Sequence, residues 1–532
     1  MTMAEEFDYV VAGAGSSGCV ITNRLVAAGK RVLLLEAGPA DNDMFIHIPA
    51  TFVRVIGTER SWVYESEPQP QAANRAMYVP QGRTLGGGSS LNAMVYIRGQ
   101  ARDYDEWAEM GCDGWAWRDV LPVFRRSEAN TRLVDGYHGN DGPLSVTDIA
   151  YKHPLSRGFV AAAEQAGLPL NPDFNGERQL GVGFYQTTTR RGRRGSTAVM
   201  YLRPVMNRPN LKLVTEAHVS RVLLENGAAS GIVYRTADGA EHVARARHEV
   251  ILTAGALATP KILLLSGIGP QQDLAGLGIP VIRDLQGVGR NYQDHLEVSV
   301  YGRARKPISL LGNDTGLKAL RHGAQYYLFK SGLLTSNVVE SGGFADTLGT
   351  GRPDIQFHVL PVLAGDVGRE PLEGHGMSIN PCFLRPKSRG SVRLRAADPS
   401  APILFDPNYL AEQEDVDALV RGVKLARKIL RAPALKALIE KELLPGEADD
   451  LDDKAIEAHV RSYAKTVYHP AGTCRMGKDD GAVVDPTLKV RGVSRLRIAD
   501  VSVMPKIVSG NTNAPAVMIG ERCADFVLAE NR

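Results

Sequence analysis

Cysteine is scarce and scattered in this chain: five residues among 532, Cys19, Cys112, Cys382, Cys474 and Cys523. An odd number with no C-x-x-C spacing argues against a disulfide framework and against a zinc site, and fits reduced thiols. Long apolar runs are missing too. None approaches the ~20 residues that span a bilayer, and the N-terminus lacks the basic-then-apolar pattern of a signal peptide. The expectation is a cytoplasmic protein with no transmembrane segment, peripheral attachment to a membrane being left open. Charge of one sign is also missing. A net charge of +3 gives no reason to expect nucleic acid or an anionic membrane as partner. No internal repeat or low-complexity tract occurs.

What is present is ordinary globular composition, 44% hydrophobic and 23% charged. The length suits two to four domains, or one large two-part enzyme able to enclose a cofactor. Phe7 to Ala12 reads as a buried strand. The glycine loop Gly13-Ala14-Gly15-Ser16-Ser17-Gly18 follows, then a helix from Cys19 to Ala28 that Gly29 is placed to end, then a strand from Arg31 to Glu36. Strand, glycine turn, helix and strand with an acid at the tip predict a parallel sheet with a right-handed crossover. Gly13 permits the tight turn, Gly15 lets a pyrophosphate approach the backbone, and Gly18 allows helix and strand to pack. Glu36 stands where a carboxylate accepts from ribose hydroxyls. This motif alone does not separate NAD from FAD.

From Gly38 to Gly99 the chain is too long and too punctuated for a simple loop, and reads as cofactor-wrapping structure. Strands are predicted at Leu211–Val214, His218–Leu224, Glu249–Ala256 and Leu496–Asp500. A helix is predicted through Pro260–Leu265. Between about residues 300 and 460, alternating runs such as Asp354–Val359 and Ser391–Arg395 suggest antiparallel strands, with an amphipathic helix from Val416 to Leu430.

Three segments carry chemistry. Gly82 to Met94 sets three consecutive glycines beside two serines and Asn92, a loop that can lay its backbone against a large flat ligand. Tyr468-His469-Pro470-Ala471-Gly472-Thr473-Cys474-Arg475-Met476-Gly477 holds a histidine, whose imidazole is a suitable proton acceptor near neutral pH. Ser509-Gly510-Asn511-Thr512-Asn513-Ala514-Pro515 supplies amides that can hold a substrate oxygen.

With these motifs the chain resembles the glucose–methanol–choline (GMC) oxidoreductases. Gly82 to Asn92 looks like the first family signature and Gly255 to Gly269 like the second; the likeness runs from Phe7 to Phe526. It implies an α/β fold, an FAD-binding Rossmann-like domain with a substrate domain built on an antiparallel sheet. The expected division is FAD-binding segments at 1–155, 196–300 and 461–532, and substrate-domain segments at 156–195 and 301–460.

The resemblance implies FAD contacts at Gly13, Gly15, Gly18, Glu36, Trp62, Arg83, Gly87, Asn92 and Met94, near Val219, and near the flavin at Asp500 and Asn511. Leu91 stands where some members carry a flavin-linking histidine, so the FAD is expected to be non-covalent. His469 is the expected base and Asn513 the expected second catalytic residue. Val467 and Tyr468 are expected to shape the pocket. Glu340 could hold a cationic headgroup such as choline's, or serve a structural ion pair. The basic run Arg190-Arg191-Gly192-Arg193-Arg194 reads as a solvated face. No residue set suggests a metal.

The expected reaction is oxidation of a small primary alcohol to an aldehyde. His469 takes the hydroxyl proton, a hydride passes to the flavin, and a quinone or oxygen is the electron acceptor. A homodimer is a family-level expectation. Two other readings stay open: a non-redox FAD-containing lyase resembling hydroxynitrile lyases, and an FAD-binding protein without turnover. A single sequence does not choose among choline, aromatic, furanic, aliphatic and polyether alcohols.

Overall fold

The computed structural model describes residues 5–365, 372–448 and 451–530. Its first sheet is built on the strand Glu5–Ala12, whose inner residues Val10, Val11 and Ala12 have no solvent exposure. Such continuous burial belongs to a parallel strand covered on both faces. Val32–Leu35 flanks it on one side, with Leu211–Val214 beyond, and Glu241–Leu252 flanks it on the other, all parallel. Glu241–Leu252 changes partner along its length. Residues Glu241 to Arg245 pair antiparallel with Ala228–Arg235, which in turn pairs with His218–Glu225. Val250 to Leu252 pair parallel with Leu496–Ile498. The strand Ala228–Arg235 was not anticipated.

The register aligns the carboxyl ends of Ala12, Leu35, Val214, Leu252 and Ile498. Open parallel sheets bind their ligands at that edge. Gly29 has φ +80° beyond the helix Ser16–Ala27, the left-handed stop expected of it. This helix lies against the last one, Asn513–Glu530. A Cβ on Gly520 would sit 2.9 Å from the Ser17 carbonyl, so the two backbones touch. Ser17 Oγ donates to the Ala516 carbonyl at 2.8 Å, and Arg24 pairs with buried Glu521 at 2.7 Å.

The second sheet is antiparallel. Its strands run in the order Ile439–Leu444, Val300–Ala304, Gly376–Phe383, Ile355–Leu360, Ser341–Ala345 and Gly181–Phe184. The short strand Leu296–Glu297 joins it to Lys465–Thr466. All eight residues of Gly376–Phe383 are buried. The amphipathic helix is present as Gln413–Leu430 and packs on that strand, where a Cβ on Gly422 would meet the Pro381 side chain at 2.8 Å. Among the described residues, Ser391–Leu394 pairs with Ile403–Asp406 in a two-stranded hairpin apart from the main sheet. A helix not anticipated from the sequence spans Gly316–Phe329.

Candidate active site

A cavity of about 720 Å³ lies between the carboxyl edge of the parallel sheet and the face of the antiparallel one, within the ordinary range for a small-molecule site. Gly13 has φ +108°, and a Cβ there would stand 2.6 Å from the Thr253 carbonyl. A Cβ on Gly18 would lie 2.0 Å from the Gly13 carbonyl, so Gly18 packs helix against turn behind the cavity wall. The two glycine loops meet directly. Gly86 N–H donates to the Ala14 carbonyl at 2.7 Å. Gly87 has φ +51°, and a Cβ on it would be 2.7 Å from Gly15 Cα. Bare backbone from both loops therefore forms one floor. The helix Ser16–Ala27 starts there without a side-chain cap, which leaves its first N–H groups available to phosphate oxygens.

Glu36 lines the same end. Its carboxylate accepts from the Ala14 N–H at 2.9 Å and the Gly38 N–H at 3.0 Å. Burial pushes its pKa up to about 7, with those two bonds and Arg83 working against the rise. Trp62 and Val219 also line the cavity. The Arg83 guanidinium lies 4.6 Å from the Trp62 ring centroid, and Arg83 is not among the residues that line the cavity. Asn92 and Met94 sit on the first-signature loop, where Asn92 Oδ1 accepts from the Met94 N–H at 3.0 Å. Leu91 is buried against Ile46 and Val55. The two-loop floor, the uncapped helix end and the buried acceptor at Glu36 fit a dinucleotide such as FAD. Gly13, Gly15, Gly87 and Glu36 would hold its phosphates and ribose.

Arg194 corrects the reading of the basic run as a solvated face. Arg190, Arg191 and Arg193 are exposed, but Arg194 is buried. It donates to the Ser89 carbonyl at 3.1 Å, the Asn92 carbonyl at 2.7 Å and Asn92 Oδ1 at 2.8 Å, and so ties down the signature loop.

At the other end of the cavity, His469 leaves the strand Lys465–Thr466 on a tight bend. Tyr468 holds φ +67°, an unfavourable conformation for a bulky residue. It persists because its N–H donates to Thr466 Oγ1 at 2.8 Å and the His469 N–H donates to Asp294 Oδ1 at 2.9 Å. Asp294 is buried, also accepts from Thr466, Tyr409 and Tyr292, and has its pKa pushed up to about 6 by burial.

A chain of bonds fixes the protons of the imidazoles. His295 Nε2 lies 3.0 Å from the Leu384 carbonyl, which can only accept, so Nε2 carries the proton. Burial pushes the His295 pKa down to about 4. The ring is therefore neutral, and its Nδ1 is an acceptor. His469 Nδ1, 3.1 Å from His295 Nδ1, must then be the donor. That leaves the free electron pair of His469 on Nε2, turned to the cavity. Burial, followed by unfavourable electrostatic interaction with the neighbouring His295 and His358 imidazoles, holds the His469 pKa well below the usual 6.5.

Asn511 faces that electron pair, its Nδ2–H donating to His469 Nε2 at 3.3 Å. Gln356 Nε2 donates to Asn511 Oδ1 at 3.0 Å, which fixes the amide with its N–H groups toward the histidine. Asn513 points elsewhere. It opens the last helix, and its amide donates to Ser16 Oγ in the glycine loop at 2.8 Å. The side chains brought together are thus His469 and Asn511, not His469 and Asn513 as expected. Two asparagines separated by one residue thus bond different partners, although both line the cavity. Asp500, at the end of Leu496–Ile498, accepts from the Gly255 N–H at 2.9 Å and Thr259 Oγ1 at 2.7 Å, and so closes the cavity floor. Val467 and Tyr468 line the cavity.

Glu340 does not face the cavity. It has no exposure, and it accepts from Ser336 Oγ and from the His153 N–H, both at 2.6 Å, at the start of the helix Pro154–Gln165. The carboxylate that lines the cavity beside His358 and Lys465 is Glu297. It accepts from His358 Nδ1 at 2.9 Å and pairs with Lys465 at 3.6 Å; His358 and Lys465 line the cavity as well. Sequence reasoning passed over His295, Glu297, Gln356, His358 and Lys465. One signal was available: Asp294, His295 and Glu297 place three titratable groups within four positions, directly before the apolar residues of a strand.

Comparison with known proteins identifies the family. Two family models described as GMC oxidoreductase match residues 7–297 and 386–520. An alcohol dehydrogenase (acceptor) of Pseudomonas putida is 44% identical, covering 98% of this chain and 96% of the relative. The mitochondrial choline dehydrogenase of Mus musculus is 43% identical over 98% of this chain and 89% of its own length. Among solved structures, pyridoxine 4-oxidase from Mesorbium loti superposes with a TM-score of 0.88 at 31% identity, covering 98% of both chains. A formate oxidase from Aspergillus oryzae superposes with a TM-score of 0.92 at 28% identity, covering 100% of this chain and 99% of that one. The chain belongs to the GMC oxidoreductases, as an FAD-dependent enzyme acting on CH–OH donors.

Proposed function

We propose that the enzyme oxidises an uncharged primary alcohol to its aldehyde, with His469 as the base and Asn511 as the amide that holds the substrate oxygen. The observation that carries this reading is the placing of His469, with Nδ1 3.1 Å from His295 Nδ1 and Nε2 3.3 Å from the Asn511 amide nitrogen. A hydroxyl entering between them donates its proton to Nε2 and accepts from the amide, so both partners act on one oxygen. FAD, when bound, supplies the hydride acceptor. It is held without a covalent link, because Leu91 offers no nucleophilic atom. Asn513, bonded to Ser16, positions the cofactor loop and not the substrate. Electrons leave to a quinone-like acceptor or to oxygen.

The cavity's charges support the choice of an uncharged substrate. A quaternary ammonium needs an uncompensated carboxylate or an aromatic cage. Glu297 is already matched by the Lys465 ammonium and bonded by His358. A cationic headgroup would meet a satisfied acid with a lysine beside it. Replacing Lys465 by Met is therefore expected to improve capture of choline relative to benzyl alcohol by about 10-fold, roughly 1.4 kcal/mol of discrimination. Stopped-flow flavin reduction with each alcohol measures it, and an unchanged ratio would remove Lys465 from substrate selection.

An anaerobic screen of choline, benzyl alcohol, hydroxymethylfurfural and aliphatic alcohols tests the reading as a whole. Bleaching of the flavin by neutral alcohols, more strongly than by choline, is the expected result. Unchanged flavin absorption with aldehyde release from mandelonitrile would make the enzyme a lyase instead.

The pH dependence follows from the direction of the His469 shift. The base acts when neutral, the neutral form prevails above its pKa, and burial has moved that pKa below 6.5. We expect kcat/KM to stay level as pH falls through 6.5 and to drop only at lower pH. An acid limb centred at or above 6.5 would contradict a buried, neutral base.

A further inference from the structure

Outside the active site, the most unusual feature is the helix Gly316–Phe329, which turns its apolar face to solvent. Leu317 is 84% exposed, Leu320 69%, Leu328 74% and Phe329 72%. At 100° per residue, Leu317, Ala324 and Leu328 form the outermost line, with Leu320 and Tyr327 on one flank and Arg321 on the other. The inward side carries buried Tyr326 and half-buried His322, which bonds Asn313 Oδ1 at 3.3 Å. A helix in a water-facing position normally has the reverse arrangement, and a run of large exposed apolar side chains marks an interaction surface.

Charge identifies the surface it fits. From Thr315 to Ser331 there is no acidic residue, while Lys318, Arg321 and Lys330 are all exposed. The Lys330 ammonium lies 4.6 Å from the Tyr326 ring centroid and 5.1 Å from that of Tyr327. The basic hairpin Thr189–Arg194 stands next to this end, since a Cβ on Gly192 would be 2.9 Å from the Lys330 carbonyl. It adds exposed Arg190, Arg191 and Arg193. The small net charge of the whole chain concealed this local excess.

We propose that this face docks the enzyme on an anionic phospholipid bilayer, with the helix lying along the membrane surface. Leucine, tyrosine and phenylalanine side chains enter the headgroup–acyl boundary while the lysines and arginines around them meet lipid phosphates. No helix of the described residues is long and apolar enough to cross a membrane, so the contact is peripheral. A second copy of the chain fits less well. In a two-fold interface the same patch meets itself, which would set this basic rim against an identical basic rim.

The docking face adjoins the active-site cavity. Phe52, Val53 and Ile56 line the cavity, and Val53 is 55% exposed. Arg54 pairs with Asp314, directly before the helix, at 3.0 Å. A membrane-bound enzyme therefore holds this rim of its cavity at the lipid surface, where apolar alcohols and quinones concentrate. The docking itself rests on the helix and its charges, whichever acceptor the flavin uses.

The test is co-sedimentation of the full-length holoenzyme with vesicles. Wild type should pellet with phosphatidylcholine vesicles containing phosphatidylglycerol, and at least 10-fold less with phosphatidylcholine alone or in high salt. The Leu320→Glu/Leu328→Glu variant should lose at least 10-fold in vesicle binding while keeping its flavin spectrum and its turnover with a soluble dye acceptor. Lys318→Glu/Arg321→Glu should lose the preference for the anionic vesicles. The proposal is overturned if wild type stays in the supernatant with both vesicle types, or if neither variant changes its binding. It is also overturned if size-exclusion chromatography shows a wild-type dimer that Leu320→Glu/Leu328→Glu converts to a monomer, because the face would then belong to a second copy.

Discussion

The His469→Ala protein should purify yellow and be nearly inert. Its flavin content should match wild type, because none of the backbone contacts at Gly13, Gly15 or Gly87 involves residue 469. Anaerobic flavin reduction by a good alcohol substrate should slow by 10²-fold or more, the usual contribution of a positioned general base. Removal of the imidazole takes away the only group in the bonded chain from Leu384 through His295 that presents an electron pair to the hydroxyl. Wild-type reduction rates in this variant would refute the assigned base. Flavin loss instead of rate loss would mean that the histidine serves the cofactor.

Gly87→Val should abolish the colour altogether. Two costs coincide at this position. A β-branched residue would be forced to φ +51°, which alone costs about 1–2 kcal/mol. Its Cβ would also stand 2.7 Å from Gly15 Cα, main chain that cannot move without opening the nucleotide turn. The floor shared by the two loops would split. We expect the visible flavin absorbance of the purified protein to fall by more than about 10-fold, with circular dichroism reporting whether the sheets persist. Full flavin content would show that the two loops do not act as one cradle.

The parts of this molecule legible in the sequence are those whose logic is local. The turn from Ala12 to Gly18 announces itself because part of its constraint is local, in the φ of +108° at Gly13 and the close approach of Gly18 to the Gly13 carbonyl. The segment around His469 carries its own punctuation. The assignment between Asn511 and Asn513 failed because both are polar residues in one loop, and only the path of that loop decides which amide meets the histidine. Glu340 failed for a related reason. A buried acid between small residues looks functional until its partners, Ser336 and the His153 N–H, come in from other segments. The relay through His295 and the Glu297–Lys465 pair join strands far apart in sequence, and no periodicity reports such a meeting. The helix Gly316–Phe329 was missed although its pattern is amphipathic, and nothing in that pattern tells which side the rest of the molecule will cover.

The strand Glu241–Leu252 has a consequence for how the enzyme comes into being. Its second half waits for Leu496–Ile498, and the glycine turn near the start of the chain waits for Asn513. The nucleotide cradle is therefore finished only after Asn513 has emerged from the ribosome, 497 residues after the Ser16 it bonds. Pairings of such long sequence separation pay a large loop-closure entropy before they return any contact energy. A growing chain carries half a binding site until the segment of Asn513 is made, and FAD finds its complete berth only after that.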